Sequence, residues 1–151
     1  MLYRIVLFVH VMAVIMWIGT GIVFQVLAEQ AARRGDATKT TALAALGTTF
    51  GKAYFPALAI LVLLSGLWLV IDGEWGFDHV FVAGGLLGIV AAMVTGATVI
   101  GPTSERLQQS VAGGAASPDT NAHLVKLRDV GRIDLAVMTI VVFLMTYKPW
   151  G

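Results

Sequence analysis

Apolar residues in this chain fall into four long runs separated by polar segments. The first is the sharpest: between Arg4 and Glu29 the only ionisable side chain is His10. At about 1.5 Å of rise per residue such a run crosses the roughly 30 Å hydrocarbon core of a bilayer. The pattern predicts membrane-spanning helices over about 2–28, 53–71, 80–100 and 128–147. The strictly apolar part of the last, Leu135 to Tyr147, is too short to cross alone, so charged residues enter its first turns and must pair or snorkel. Asp129 and Arg132, three apart, are expected to pair within the helix, and Lys52 is the expected partner of Asp134.

The polar segments supply the punctuation. Gly35 stops the first helix and Asp36 caps the next. The stretch from Thr38 to Phe50 reads as an interfacial lead-in, and Pro56 as a kink or first turn of the second span. The loop DGEWGFDH (72–79) is short, acidic and aromatic. After the third span GPTSERLQQSV leaves the membrane, and AGGAASPD reads as a flexible linker before a helix beginning near Thr120 or Asn121. Small residues at Gly84, Gly88, Ala92 and Gly96 repeat every four positions. That spacing suits close helix packing, or a smooth face with room for a flat cofactor, or contact with a second copy.

Four spans joined by three connections predict an all-α fold: a single domain over 1–151, a four-helix transmembrane bundle running up-down-up-down. Arg33, Arg34, Lys39 and Lys52 flank the first connection, and Arg106, Lys126, Arg128 and Arg132 flank the third. The second carries no Lys or Arg. The positive-inside rule then puts the first and third connections in the cytoplasm and both termini outside. Tyr3, Trp75, Phe77, Tyr147 and Trp150 would form the outer aromatic belt.

Composition agrees. Hydrophobic residues make up 58% and charged residues 13%, against about 25% charged in an average soluble domain. The mean hydropathy of +0.84 is that of a chain whose solvent is the lipid bilayer. A net charge of +1 with no dense basic run argues against a nucleic-acid partner. With no cysteine there is no disulfide framework or thiolate metal site. The first apolar run exceeds a signal-peptide core, so the first helix is expected to stay in the mature protein.

An ionisable group inside a membrane is a functional candidate by default. Its helical face carries His10, Val14, Trp17, Gly21, Phe24 and Ala28, a stripe suited to a planar ligand or to a packed bundle interior. Met12 and Met16 lie off the stripe, which disfavours a copper site within this helix alone, although copper accepts imidazole and thioether ligands. A haem b iron would take His10 as an axial ligand, with Trp17 and Gly21 completing the pocket. His79, at the mouth of the third span, is the second candidate metal ligand; Met138, Met145 or an open position are the others. His123 sits at the opposite membrane face, in a surface role. No nucleophile constellation, phosphate loop, carboxylate cluster or zinc signature is present.

HVMAVIMWIGTGIVF in the first span, GPTSERL after the third and FLMTYKP near the end together resemble a family of predicted four-helix bacterial integral membrane proteins of unknown function. That resemblance implies a multi-pass protein of the bacterial inner membrane. The His-x6-Trp-x-Gly pattern, His10, Trp17 and Gly19, also resembles the first helix of the copper-resistance protein D domain and of the J-type protoporphyrinogen oxidase. In the oxidase the matching histidine is associated with haem, which implies haem for His10. The oxidase uses a lysine in its third helix and Val80 to Ile100 contains none, so its reaction is not implied. Three functions stay open: a b-type haem protein in electron transfer or haem/porphyrin handling, a copper-handling transporter, and an accessory or assembly subunit of a larger membrane complex.

Overall fold

The computed structural model describes residues 1–77, 79–113 and 118–147. Trp150 and residues 114–117 of the AGGAASPD linker lie outside the described residues. Four long helices make up the chain: α1 (Leu2–Arg34), α2 (Ala37–Asp72), α3 (Val80–Ala112) and α4 (Pro118–Tyr147). No strand occurs among the described residues, and all four helices are long and apolar enough to cross a membrane. The predicted all-α architecture of four membrane-capable helices is what the chain forms. α1 and α3 each pack between α2 and α4, so the four helices close a square.

The helices run well past the predicted spans. α1 has 33 residues, about 50 Å of helix against roughly 30 Å of hydrocarbon. The excess lies at the end carrying the α1–α2 and α3–α4 connections, here the charged end. Thr38 to Phe50 is therefore not a separate interfacial piece but the opening of α2, and GPTSERLQQSV continues α3. The cause is a second core that hydropathy alone does not register. Ala28 and Ala31 of α1, Leu43 and Ala44 of α2, Leu107 of α3 and Leu124 of α4 pack together, with Leu107 fully buried. A separate core nearer the termini joins Ala13, Trp17, Leu58, Ala59, Val62, Ile89, Ala92 and Met138. Leu2, Phe8, Ile15, Leu64, Leu87, Ile140 and Phe143 are exposed on the outside, where lipid would cover them.

The turn between α1 and α2 forms as its residues dictate. Gly35 takes φ 59°, the left-handed conformation that glycine tolerates. Asp36 accepts a hydrogen bond from the Lys39 backbone N–H at 3.2 Å, and that bond holds its carboxyl below the ordinary value of 3.8. A carboxyl with a lowered folded value stabilises the fold above its unfolded value and loses that contribution as pH falls through the folded one. Asp36→Ala is thus expected to speed hydrogen exchange at the Lys39 and Thr40 amides near neutral pH. The difference from wild type should shrink as pH falls below 3.8 and through the lowered folded value, where the cap becomes protonated; equal exchange at neutral pH would refute the cap.

Two turns widen to π geometry: Phe50–Tyr54 in α2 and Gly96–Ile100 in α3. The Phe55 N–H reaches the Phe50 carbonyl and the Gly101 N–H the Gly96 carbonyl. Each is followed by a proline, Pro56 or Pro102, which lacks the N–H of the regular ladder and whose ring crowds the carbonyl four residues back. The wider turn relieves that crowding.

Small residues on α3 serve packing inside the bundle. A Cβ added at Gly84, Gly85 or Gly88 would meet Leu144, Met145 or Val141 of α4. Along Gly84 to Gly88 this is close helix packing, whereas a Cβ at Gly96 would meet nothing within 4 Å. At the charged end Glu29 draws Arg33, Arg132 (2.6 Å) and Arg128 (4.0 Å). The expected Asp129–Arg132 pair gives way because Arg132 reaches across to α1, and Asp129 pairs with Arg128 instead at 2.8 Å. Lys52 pairs with Glu105 at 3.1 Å rather than with Asp134.

Candidate functional site

The face of α1 predicted from helical periodicity turns inward, with His10, Ala13, Trp17, Ala28 and Ala31 buried. Seven residues advance a helix by about 10 Å, and that rise separates His10 from Trp17. His10 lines an outer cavity of about 580 Å³ toward the termini. Trp17 and Gly21 line an inner cavity of about 530 Å³ toward the charged end. Trp17 meets Phe55 edge-on, ring centres 5.8 Å apart, and Leu135 lies over Gly21. The three residues expected to share one slot are thus divided between two.

Ser65 of α2 fixes the state of the histidine. Its Oγ lies 2.9 Å from His10 Nδ1 and 2.5 Å from the Leu61 carbonyl. A serine hydroxyl has one proton, and the carbonyl oxygen can only accept it. Ser65 therefore donates to Leu61 and accepts from His10, so Nδ1 carries the imidazole proton. Nε2 then keeps its lone pair, and the Val62 backbone is a further hydrogen-bond partner of the ring. A metal ligand is normally prepared in this way, with the far nitrogen held by a neighbour that fixes tautomer and ring plane. Gly66 leaves room for the ring: a Cβ there would stand 3.1 Å from His10 Cε1.

Sequence reasoning missed Ser65. The available signal was that it is the sole hydroxyl in the apolar run from Ala57 to Ile71.

The cavity wall beside His10 is apolar and aromatic, with Tyr3, Trp75, Phe81, Met138 and Met145. Met138 is buried, and the Met145 methyl sits against the Gly85 backbone. His79 stands one ring further out. It precedes the first residue of α3, its Nδ1 is 3.1 Å from the Gly76 carbonyl, and it meets Trp75 and Phe81 edge-on. It is not among the residues lining the outer cavity. His123 is half-buried in the early turns of α4, far along the chain from that site. Among the described residues no three His, Cys, Asp or Glu side chains gather around a point that could hold a metal ion.

No curated protein and no solved structure matches the chain. The family model described as "Predicted integral membrane protein (DUF2269)" matches residues 4–149, almost the entire chain and all four helices. The protein therefore belongs to this family of integral membrane proteins and crosses the bilayer more than once.

Proposed function

We propose that the outer cavity is a b-type haem site in which His10 Nε2 is an axial ligand, and that the protein serves electron transfer or haem/porphyrin handling in a bacterial inner membrane. One observation carries the reading: a buried imidazole that Ser65 holds at Nδ1 and that lines a large apolar cavity between the helices. Free ions need several protein donors, whereas a porphyrin already supplies four to its iron, so one or two protein ligands suffice. The cavity volume lies within the roughly 300–1,000 Å³ of ligand pockets. Ser65 orients the ligand, the apolar wall excludes water, and Met138 and Met145 are the thioethers available as a second donor. When bound, haem would supply one-electron chemistry at a potential set by those ligands and by burial.

The resemblance of the His10–Trp17–Gly19 pattern to a haem-associated histidine supports the same reading. The excess of Lys and Arg at the charged end supports that end facing the cytoplasm, with both termini outside.

A second reading has its own observation. His10, Met138 and Met145 line one cavity, and imidazole with thioethers suits cuprous ion.

The test is the absorption spectrum of detergent-purified protein expressed with haem supplied, before and after dithionite. A Soret band with sharp reduced α and β bands is expected. No band, with copper retained through purification, would overturn haem in favour of the second reading; no band and no copper would overturn both.

A further inference from the structure

The inner cavity has a chemistry unlike the outer one. It is walled by Trp17, Phe24 and Phe55 and lined from all four helices, and the π turns of α2 and α3 both open on it through Gly51, Gly96 and Ala97. Wide turns of this kind recur at functional positions because they aim backbone and side chains where a regular helix does not. Its lining includes no Lys, Arg or His. It includes two carboxylates, Glu105 and Asp134. Glu105 is matched by Lys52 at 3.1 Å. Asp134, half-buried in a membrane-capable helix, has neither ion pair nor hydrogen bond among the described residues. An unpaired carboxylate at this depth is costly and marks a site for a counter-charge.

We infer that the inner cavity binds a lipophilic organic monocation, a hydrophobic ammonium or its equivalent, with Asp134 as its counter-charge and Trp17, Phe24 and Phe55 as its walls. Aromatic faces attract such cations, most strongly where water is excluded. The apolar lining takes the ligand's carbon skeleton. A volume of about 530 Å³ holds a molecule of drug size. Inorganic cations fit less well, since they require several oxygen donors around one point and the other carboxylate is already engaged by Lys52.

The experiment uses the full chain in uncharged detergent, with tetraphenylphosphonium as probe and triphenylphosphine oxide as its neutral analogue, followed by equilibrium dialysis. Wild type is expected to bind the cation saturably and at least about tenfold more tightly than the neutral analogue, a margin that one charge pair at interior dielectric readily supplies. Asp134→Asn should lose that preference while still binding the neutral compound, and Asp134→Glu should retain part of it. Equal affinity of wild type for the two probes, or no saturable binding of the cation, overturns the proposal even if Asp134→Asn fails to fold. An unchanged cation affinity in folded Asp134→Asn overturns it as well. Haem binding at His10 is read separately from the Soret band, so the two sites fail independently.

Discussion

His10→Ala is expected to leave the purified protein without a Soret band under conditions in which wild type shows one. No other imidazole lines the outer cavity, so no nitrogen ligand is left there to take over. His79 is held at Nδ1 by the Gly76 carbonyl and packed between Trp75 and Phe81. Ser65→Ala tests the tautomer argument without touching the ligand. It removes the acceptor that fixes the Nδ1 proton, and loss of such an outer partner typically weakens a metal-bound imidazole by about 10–100-fold. The variant should bind haem with affinity reduced in that range and with an altered reduced spectrum. Ser65→Thr, which keeps a hydroxyl, should restore part of the loss. If Ser65→Ala matches wild type while His10→Ala abolishes the band, the ligand stands and the orienting role of Ser65 does not. If His10→Ala keeps the wild-type spectrum, the axial assignment fails.

These variants also show where the chain was legible. Hydropathy predicted the four spans because lipid imposes one rule on every buried turn: satisfy the backbone internally and present apolar side chains outward. The inward face of α1 followed from periodicity, and His10 from its isolation among apolar residues. Gly35, Asp36 and the start near Thr120 marked helix ends at the charged end, but the second core and the continuation of α3 did not follow, because Leu43, Leu107 and Leu124 sit among Thr, Gln, Asn and Lys, where averaging erases them; only their convergence in one core reveals them. Ser65 was invisible for another reason. A lone hydroxyl in an apolar helix commonly bonds its own backbone, as this one also does with Leu61, and nothing in the spacing states that His10 lies across from it. Ion pairs were misassigned for the same reason: Arg132 has a partner three residues away and a better one on another helix, and sequence separation weighs only the first.

The α3–α4 seam yields the largest expected structural effect. A Cβ at Gly88 would collide with Val141 Cγ2, and Val141 is itself buried. Between membrane helices little hydrophobic driving force remains, so association rests on close packing of such small residues. Gly88→Leu cannot be absorbed by a rotamer change alone, and overpacking of this kind costs about 1–3 kcal/mol. α3 and α4 should splay, lowering the denaturation midpoint in mixed micelles and opening the wall that Gly85, Val141 and Met145 share at the outer cavity. Haem uptake should fall with it. The neighbouring positions supply the gradient that separates a wedge from a general intolerance of side chains. Gly84→Ala meets only the flexible end of Leu144 at 3.1 Å, and Gly96→Ala meets nothing within 4 Å. The expected order of destabilisation is Gly88→Leu, then Gly84→Ala, then Gly96→Ala close to wild type. Pairing Gly88→Ala with Val141→Ala should recover stability relative to Gly88→Ala alone, with a coupling on the order of 0.5–3 kcal/mol as expected for residues in contact. Equal tolerance at Gly88 and Gly96, or no coupling between Gly88 and Val141, would mean that α3 and α4 do not meet along this face.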